Sequence, residues 1–515
     1  MYLTQSLHRA LQQDPGAIAT IHGERVRTVA ESVDRIARLA GALRELGVGK
    51  GDRVAILALN SDRYHEYFFA VAWLGAVVNP VNIRWSSDEI SYSLTDSGTR
   101  ILLVDDTFAA TVPAIRRACP GLSQVIFLGD GARPEDMLDY ESLIARADPI
   151  EDTRTGGDEL FGVFYTGGTT GHPKGVMLSH RNVIASATGT LITDEVVTRG
   201  GRVLHAAPMF HLADFAMWSM GNLVGATHVT IAAFTPAGVR EAVAAHGITD
   251  LLLVPTMIQM LVDDPATAEV DLSSVRHILY GASPISEAVL QRARAAFPTA
   301  GFAQAYGMTE LSPVATLLTV ADHDRSDLLR AAGRAAAHVE VRIVDPEGLE
   351  VPRGAIGEVV ARGDGVMAGY WNRPGETADA IRGGWMHTGD GGRMDEHGYV
   401  YIVDRIKDMI ITGGENVYSV EVENALAKHP AVASCAVIGI PDPRWGERVH
   451  AVIVPHPGHT VSEEQVTAHC KALIANYKIP RSITIATELP LSGAGKILKR
   501  ELRKQFWDQS GTQVS

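Results

Sequence analysis

Between Tyr165 and Gly175 the chain reads Tyr165-Thr166-Gly167-Gly168-Thr169-Thr170-Gly171-His172-Pro173-Lys174-Gly175. Glycines, hydroxyls, one proline and one cation in so short a space break both helix and strand. Successive glycines let backbone N–H groups turn into a concave nest, and hydroxyls with Lys174 complete a cradle for phosphate oxygens. An ordinary surface turn has a similar composition, so the loop by itself leaves both readings open. The spacing argues against a phosphoryl-transfer P-loop, where lysine follows glycine and precedes Ser or Thr. Here Pro173 precedes Lys174 and Gly175 follows it. A strand over 160–165 delivers the loop, which is how such loops are usually presented.

The 515 residues exceed what one core usually supports, so at least two domains are expected. In the first part, apolar residues at helical spacing over 29–46 stop at Gly47-Val48-Gly49, and a buried-strand run follows over 54–59. A helix over 67–74 and a strand over 101–104 continue the alternation, which predicts a layered α/β domain with a largely parallel sheet. From Gly333 the pattern turns to strands, over 339–344, 356–362 and 398–403, which predicts a β-rich subdomain over about 333–404. Gly363-Asp364-Gly365 is not a dinucleotide loop, because no amphipathic helix follows it at Gly369-Tyr370-Trp371-Asn372-Arg373-Pro374. Beyond Asp404, helices over 420–428, 463–474 and 498–504 mix with strands over 433–440, 450–454 and near Ile483. These form a small α+β unit of about 100 residues. The expected division is therefore 1–404 and 405–515.

A net charge of −14 argues against nucleic acid or an anionic membrane surface as the main partner, so an anionic substrate must meet a local positive site. Cys119, Cys435 and Cys470 are scattered and lack CxxC spacing, which suits buried apolar side chains better than a disulfide or metal framework. No basic-apolar leader opens the chain, and no run approaches the roughly 18 apolar residues of a membrane span. A cytoplasmic setting without integral membrane association is expected, and a homodimer is compatible with these features.

Further clusters stand along the chain. Tyr306-Gly307-Met308-Thr309-Glu310 offers an aromatic face for a purine and a carboxylate suited to Mg²⁺ near phosphates, although it could equally be a helix cap. A carboxylate on a turn at His387-Thr388-Gly389-Asp390 can accept both hydroxyls of a ribose. Tyr401-Ile402-Val403-Asp404-Arg405-Ile406-Lys407-Asp408 follows, where Lys407 could also be a charged strand end. Pro490-Leu491-Ser492-Gly493-Ala494-Gly495-Lys496 places a lysine on a glycine-rich loop, which by itself reads as a solvated lysine although it is suited to carry a point charge to a reacting phosphate. His211, after Pro208-Met209-Phe210, would by itself be a core or capping histidine.

In this order, over nearly the whole chain, the motifs resemble those of the adenylate-forming superfamily: acyl-CoA synthetases, luciferases and carrier-protein-loading adenylation domains. The resemblance implies that Thr166, Gly167, Gly168, Thr169, Thr170, Gly171 and Lys174 hold the polyphosphate, with Gly167 standing where members often have Ser. Gly281-Ala282-Ser283-Pro284 resembles the segment between adenine and the carboxylate substrate, and Tyr306, Thr309 and Glu310 match the adenine-and-magnesium motif. Asp390 and Arg405 look like the ribose contacts, Lys407 the hinge of a mobile C-terminal domain, and Lys496 the adenylation lysine. His211 resembles the gate beside an acyl pocket formed with Leu212, Phe215, Met257, Gly281 and Ala305. Ile411-Thr412-Gly413-Gly414-Glu415-Asn416 and Pro441-Asp442-Pro443-Arg444-Trp445-Gly446 look like acyl-CoA synthetases in particular. In those, Gly413 and Gly414 would line a pantetheine tunnel and Trp445 would stand near the CoA nucleotide.

The implied activity is an ATP-dependent carboxylate–CoA ligase, using ATP, Mg²⁺ and CoA on a small carboxylic acid such as a medium-chain fatty acid or an aryl acid. An adenylation domain that loads a carrier protein is one alternative, and a non-catalytic nucleotide-binding protein another. An amino-acid substrate is disfavoured because His211, not Asp, follows Phe210, though Asp214 lies close by.

Overall fold

Ile-Leu-Leu-Val at Ile101–Val104 and Asp-Leu-Leu-Leu at Asp250–Leu253 form strands with every residue buried, as strands covered on both faces require. They belong to two different sheets. The computed structural model describes residues 1–167, 172–283, 285–491 and 497–507, without the side chains of Lys407 and Asn416.

The described residues divide into two compact units. The first comprises Met1–Pro284, Ala288–Val341 and Ala361–Met386. One of its sheets has nine strands, with Arg202–His205, Thr227–Thr230, Asp250–Leu253, His277–Gly281 and Gly301–Gly307 among its parallel members and antiparallel pairs at both edges. The other has eight strands, in which Leu160–Thr166 is parallel to Val77–Pro80 and antiparallel to Lys174–Ser179. The single, largely parallel sheet expected from sequence is thus two such sheets. Local pattern sets strand character, and pairing over long separations decides which sheet a strand joins.

Helix boundaries follow capping chemistry. Ser179 accepts from Asn182 N–H, and the Asn182 side chain reaches back to Ser179 N–H, a capping box that starts the helix His180–Thr193. The helix Leu212–Val224 begins at His211, whose Nδ1 accepts from Ala213 N–H at 3.3 Å, and ends at Gly225 in the left-handed region. The helix Asp62–Trp73 is buried along its whole length.

The second unit comprises Ile285–Glu287, Arg342–Val360 and His387–Ser515. Within it, Val432–Asp442 and Gly446–Pro455 pair antiparallel over their length, and Ser482–Ile485 adds in parallel. The helices Ser419–Leu426 and Glu463–Lys471 cover this sheet through Val422, Leu426, Val466 and Cys470. The β-rich stretch 333–404 is shared between the two units. Asp404 ties its end into the second unit, accepting from Ser419 Oγ at 2.6 Å and from Ser419 N–H. Cys119 and Cys470 are buried free thiols, as expected, and Cys435 is half-buried. No helix among the described residues is long and apolar enough to cross a membrane.

Candidate active site

The glycine loop springs from a hairpin. Thr166 pairs with Lys174 and Tyr165 with Gly175, so the two strands bring the ends of the loop together. Gly168, Thr169, Thr170 and Gly171 lie outside the described residues. Gly167 is exposed, with open space where a Cβ would be, so its lack of a side chain is not forced by packing. Gly175 is forced: a Cβ there would stand 2.7 Å from Val163 Cγ1 and 2.9 Å from Tyr165 Cζ.

Lys174 is half-buried over the Tyr370 ring, 5.0 Å from its centroid, and ion-paired with Glu376. Glu376 also takes Arg373 Nη1 at 2.7 Å, and Arg373 donates through Nη2 to Tyr92 Oη at 2.7 Å. The Lys174 ammonium holds the Glu376 carboxyl below the usual range, with Arg373 adding to it. Tyr370 Oη donates to Glu310 Oε1 at 2.8 Å. One chain of contacts therefore joins the loop lysine to the candidate magnesium ligand. Glu310 is 6% exposed and forms no ion pair among the described residues. A buried carboxylate without a countercharge is costly. Magnesium is typically held by one or two carboxylates with phosphate oxygens and waters completing the shell. Glu310 fits that role, and no cluster of three acidic, His or Cys ligands occurs among the described residues. Thr309 opens the short 3₁₀ turn Thr309–Leu311 beside it.

Gly281 pairs with Ala305 across parallel strands so closely that a Cβ would lie 2.3 Å from Ala305 O. The next residue, Ala282, has φ of +68°, a costly conformation for a residue with a Cβ. Pro284 lies outside the described residues. Tyr306, at the end of the strand Gly301–Gly307, Met257 and Ala305 are half-buried, and Met257 and Ala305 pack on the same apolar cluster as Leu279 and Ala303. Leu212 and Phe215 are committed to another cluster. Phe215 stacks on Trp218 at 5.3 Å and on Phe161 at 5.2 Å. The capping reading of His211 holds, by the contact with Ala213 described above. Asp214 is fully buried, and its Oδ2 meets His205 Nδ1 at 2.7 Å. Its Oδ1 is buried without a hydrogen-bond partner among the described residues, and no part of the carboxylate reaches the surface.

In the second unit, Asp390 and Arg405 face one another in register on antiparallel strands, with Arg405 Nε 2.8 Å from Asp390 Oδ1. Asp390 does not stand on a turn, as its Thr-Gly-Asp sequence suggested. It lies inside the ten-residue strand Trp385–Met394, where Thr388 Oγ1 donates to Val359 O at 2.7 Å. Gly389 takes φ of +69° within the strand, and the pairing register shifts between Gly391 and Gly392. Gly389 N–H donates to Glu358 Oε1 at 3.0 Å, while Glu358 Oε2 meets His387 Nδ1 at 2.7 Å.

Lys407 lies in the 3₁₀ turn Ile406–Asp408, with its side chain outside the description, and Asp408 is held by Arg503 at 2.7 Å. Lys496 also lies outside the described residues. Gly413 and Gly414, both at positive φ, make the two-residue turn between Ile410–Thr412 and Glu415–Val417, as tight hairpins require. Gly413 N–H donates to Trp445 O at 2.8 Å, and a Cβ at Gly413 would stand 2.7 Å from the indole. Arg444 and Arg481 lie 4.7 and 4.4 Å from that ring. The structure thus brings Gly413, Gly414 and Trp445 together.

Sequence reading missed Tyr370, Arg373 and Glu376, which surround Lys174 and Glu310. Tyr370 and Arg373 stand in the stretch rejected as a dinucleotide loop, and Glu376 lies just beyond it. A tyrosine, an arginine and a glutamate within seven residues of a polar turn were the available signal.

Residues 7–371 match the family of AMP-binding enzymes, and residues 421–496 match the AMP-binding enzyme C-terminal domain. A feruloyl-CoA synthase of Amycolatopsis sp is 40% identical over 503 residues, covering 97% of this chain and 98% of its own. The fatty acid–[acyl-carrier-protein] ligase ScoC of Streptomyces coeruleorubidus is 38% identical, covering 99% and 97%. Among solved structures, the anthranilate CoA ligase AuaEII in complex with anthranoyl-AMP superposes with a TM-score of 0.91 at 26% identity, covering 99% of this chain and 98% of that one. With family models matching both the large and the C-terminal part and relatives matched over nearly their full length, the chain belongs to the adenylate-forming superfamily, in its acyl-CoA synthetase branch.

Proposed function

We propose that the protein joins an aryl acid or a medium-chain fatty acid to CoA at the expense of ATP. A carboxylate oxygen attacks the α-phosphorus, and the bond to the β-phosphate bridging oxygen breaks, giving acyl-adenylate and pyrophosphate. The CoA thiolate then attacks the acyl carbon, and AMP leaves. Splitting the reaction replaces a poor leaving group with a phosphate ester before the thiol arrives. Thr166, the glycine loop and Lys174 steady the polyphosphate; Lys174 exchanges Glu376 for phosphate oxygens as the nucleotide enters. Glu310 would hold Mg²⁺, which when bound supplies positive charge against the phosphates. Gly281, Ala282, Ser283 and Tyr306 border adenine, and His211, Met257 and Ala305 border the acid. Gly413, Gly414 and Trp445, with the flanking arginines, would receive CoA. Lys407 is the pivot about which the C-terminal domain presents first Lys496 and then the CoA residues.

The observation that supports this reading is Glu310, a buried carboxylate that forms no ion pair among the described residues and is linked through Tyr370 to the loop lysine. Its test is pyrophosphate release across acids of graded length and aromaticity, followed by AMP release with CoA. AMP release that depends on CoA is expected for benzoate- or cinnamate-like acids or for chains of intermediate length. The relative that loads a carrier protein supports a second reading, so holo-acyl carrier protein replaces CoA in a parallel arm. Transfer to the carrier alone would displace the CoA reading, and absence of pyrophosphate release from every acid would remove both.

Asp390 and Arg405 are proposed to hold the ribose. Asp390→Ala should raise the Kd for ATP roughly 10- to 100-fold, the loss expected for hydrogen bonds to a charged group. The penalty should shrink with 2′,3′-dideoxy-ATP, whose partner hydroxyls are already missing. An equal penalty with both nucleotides would place Asp390 elsewhere.

A further inference from the structure

Trp371 N–H donates to Gly175 O at 2.7 Å and Tyr370 pairs with Val176, so this stretch runs beside the strand that leaves the glycine loop. Asp96 O, at the end of the helix Ser87–Ser97, takes Trp371 Nε1 at 2.9 Å and Asn372 Nδ2 at 3.2 Å. Arg373 follows directly, and its guanidinium reaches the loop by two routes. Through Nη1 it meets Glu376 Oε1 at 2.7 Å, and Glu376 Oε2 meets Lys174 Nζ. Through Nη2 it donates to Tyr92 Oη at 2.7 Å, and the Tyr92 ring stacks on His172 with centroids 4.4 Å apart and planes 12° from parallel. A pair with Glu376 three residues on would by itself be an ordinary surface ion pair. The second route, to a tyrosine 281 positions away, fixes the guanidinium at the loop instead.

The Glu376 carboxylate therefore has one cation on each oxygen. Two oxygens of one phosphoryl group would meet those cations in the same way, because a guanidinium binds carboxylate and phosphate alike and a lysine serves either as a point charge. The side chains of Lys174, Arg373 and Glu376 are 24%, 31% and 33% exposed, so an anion from solvent can reach all three. Ion pairs this open add little to stability, and giving one up costs little. A polyphosphate brings more negative charge to the two cations than a single carboxylate does. We infer that Arg373 is a second cation of the polyphosphate site, binding the terminal phosphates of ATP together with Lys174, and that Glu376 is the internal anion both cations release as the nucleotide enters. The identity of the anion rests on the ligase reading; the cation and its competitor are additions to it, and neither belongs to the glycine-loop motif.

Calorimetric titration of the full-length protein with Mg·ATP and with AMP, in the absence of any acid, tests this directly, since AMP lacks the terminal phosphates. Glu376→Gln removes the competing charge at nearly constant shape and should tighten ATP roughly three- to tenfold. Arg373→Gln should weaken ATP roughly tenfold, the loss expected for a hydrogen bond to a charged group. AMP affinity should be the same in both variants as in the wild type, which also reports that they are folded. Arg373→Lys keeps the charge and should recover part of the ATP affinity. In the double variant the gain from Glu376→Gln should shrink, because one of the two contacts it frees is already gone. ATP affinity unchanged or weakened in Glu376→Gln, equal losses of ATP and AMP in Arg373→Gln, or Arg373→Lys no better than Arg373→Gln would overturn the inference. A wild-type protein that binds no ATP would remove the ligase reading and this inference together; where the wild type binds ATP, those outcomes strike this inference alone.

Discussion

Lys496→Ala is expected to lower pyrophosphate release from acid and ATP by roughly 10²–10³-fold, the loss seen when one charge-stabilising group is taken from a reacting centre. Lys496 is assigned by the resemblance to the superfamily and lies outside the described residues. Leu491 and Ile497, on either side of that segment, pair as an isolated antiparallel bridge, so its ends are held together. A lysine there acts as a point charge on a flexible stem, suited to negative charge that builds only during attack on the α-phosphorus. Thiolysis of the finished adenylate makes no such demand. The variant should therefore convert supplied acyl-adenylate and CoA to thioester at near wild-type rate. Lys407→Pro should do the reverse, because fixing φ near −65° restricts the torsional change of a pivot. Acid plus ATP would still give pyrophosphate while CoA-dependent turnover collapses. Equal loss of both half-reactions in Lys496→Ala would sink the division of labour.

The fold was legible where the signal is local. The strand Val339–Val344 matches the expected 339–344, and Leu160–Thr166 exceeds its expected span by one residue. Helix ends moved by a few residues where caps or pairing decide them, as at Ser419–Leu426 against the expected 420–428. What local pattern could not supply was the allocation of strands to two sheets, since buried tetrapeptides such as Ile101–Val104 and Asp250–Leu253 look alike in sequence.

The candidate site divides in the same way. The resemblance to the superfamily puts Asp390 and Arg405 at one ribose, and the two side chains face one another at 2.8 Å. The strand at Gly389 was read as a turn because Thr-Gly-Asp carries turn chemistry; the contact from Thr388 to Val359 O, formed across 29 positions, overrides it. Glu376 was invisible for a related reason. It lies about 200 residues from Lys174, and nothing in either local sequence indicates that the two meet. Asp214 is the opposite case. Its position close to His211 leaves room for an amino-acid substrate in the sequence, whereas the strand Arg202–His205 supplies a histidine that meets the carboxylate within the core.

Asp214→Ala should destabilise the first unit by about 3 kcal/mol, the lower end of the cost of breaking a buried pair. Asp214 Oδ2 meets His205 Nδ1 at 2.7 Å, and His205 Nε2 meets His228 Nδ1 at 2.9 Å. His65, on the helix Asp62–Trp73, accepts from Trp218 Nε1 at 3.0 Å and packs 5.1 Å from the His228 ring. All four residues of this relay are at most 1% exposed, so the alanine leaves His205 Nδ1 without a partner in a place water does not reach. Asp214→Asn keeps a hydrogen bond and should cost far less. The same burial makes the unit acid-sensitive. Burial pushes the His65 imidazole down to about 3, with the His205 charge acting in the same sense, and burial drives His228 well below its ordinary value. A histidine depressed in the fold binds its proton more readily when unfolded, so its contribution is full above about pH 6.5 and declines as pH falls. For His65 alone the loss between pH 6.5 and pH 5 is about 2 kcal/mol. Asp214, raised by burial, works in the opposite sense as pH rises above 3.8, and Asp62 partly offsets the shift at His65. Urea unfolding followed by tryptophan fluorescence at pH 7.5 and 5.5 reads both effects. An Asp214→Ala protein as stable as wild type at pH 7.5, or a wild-type midpoint that does not move between the two pH values, would mean that the relay does not hold the Leu212–Val224 helix in place.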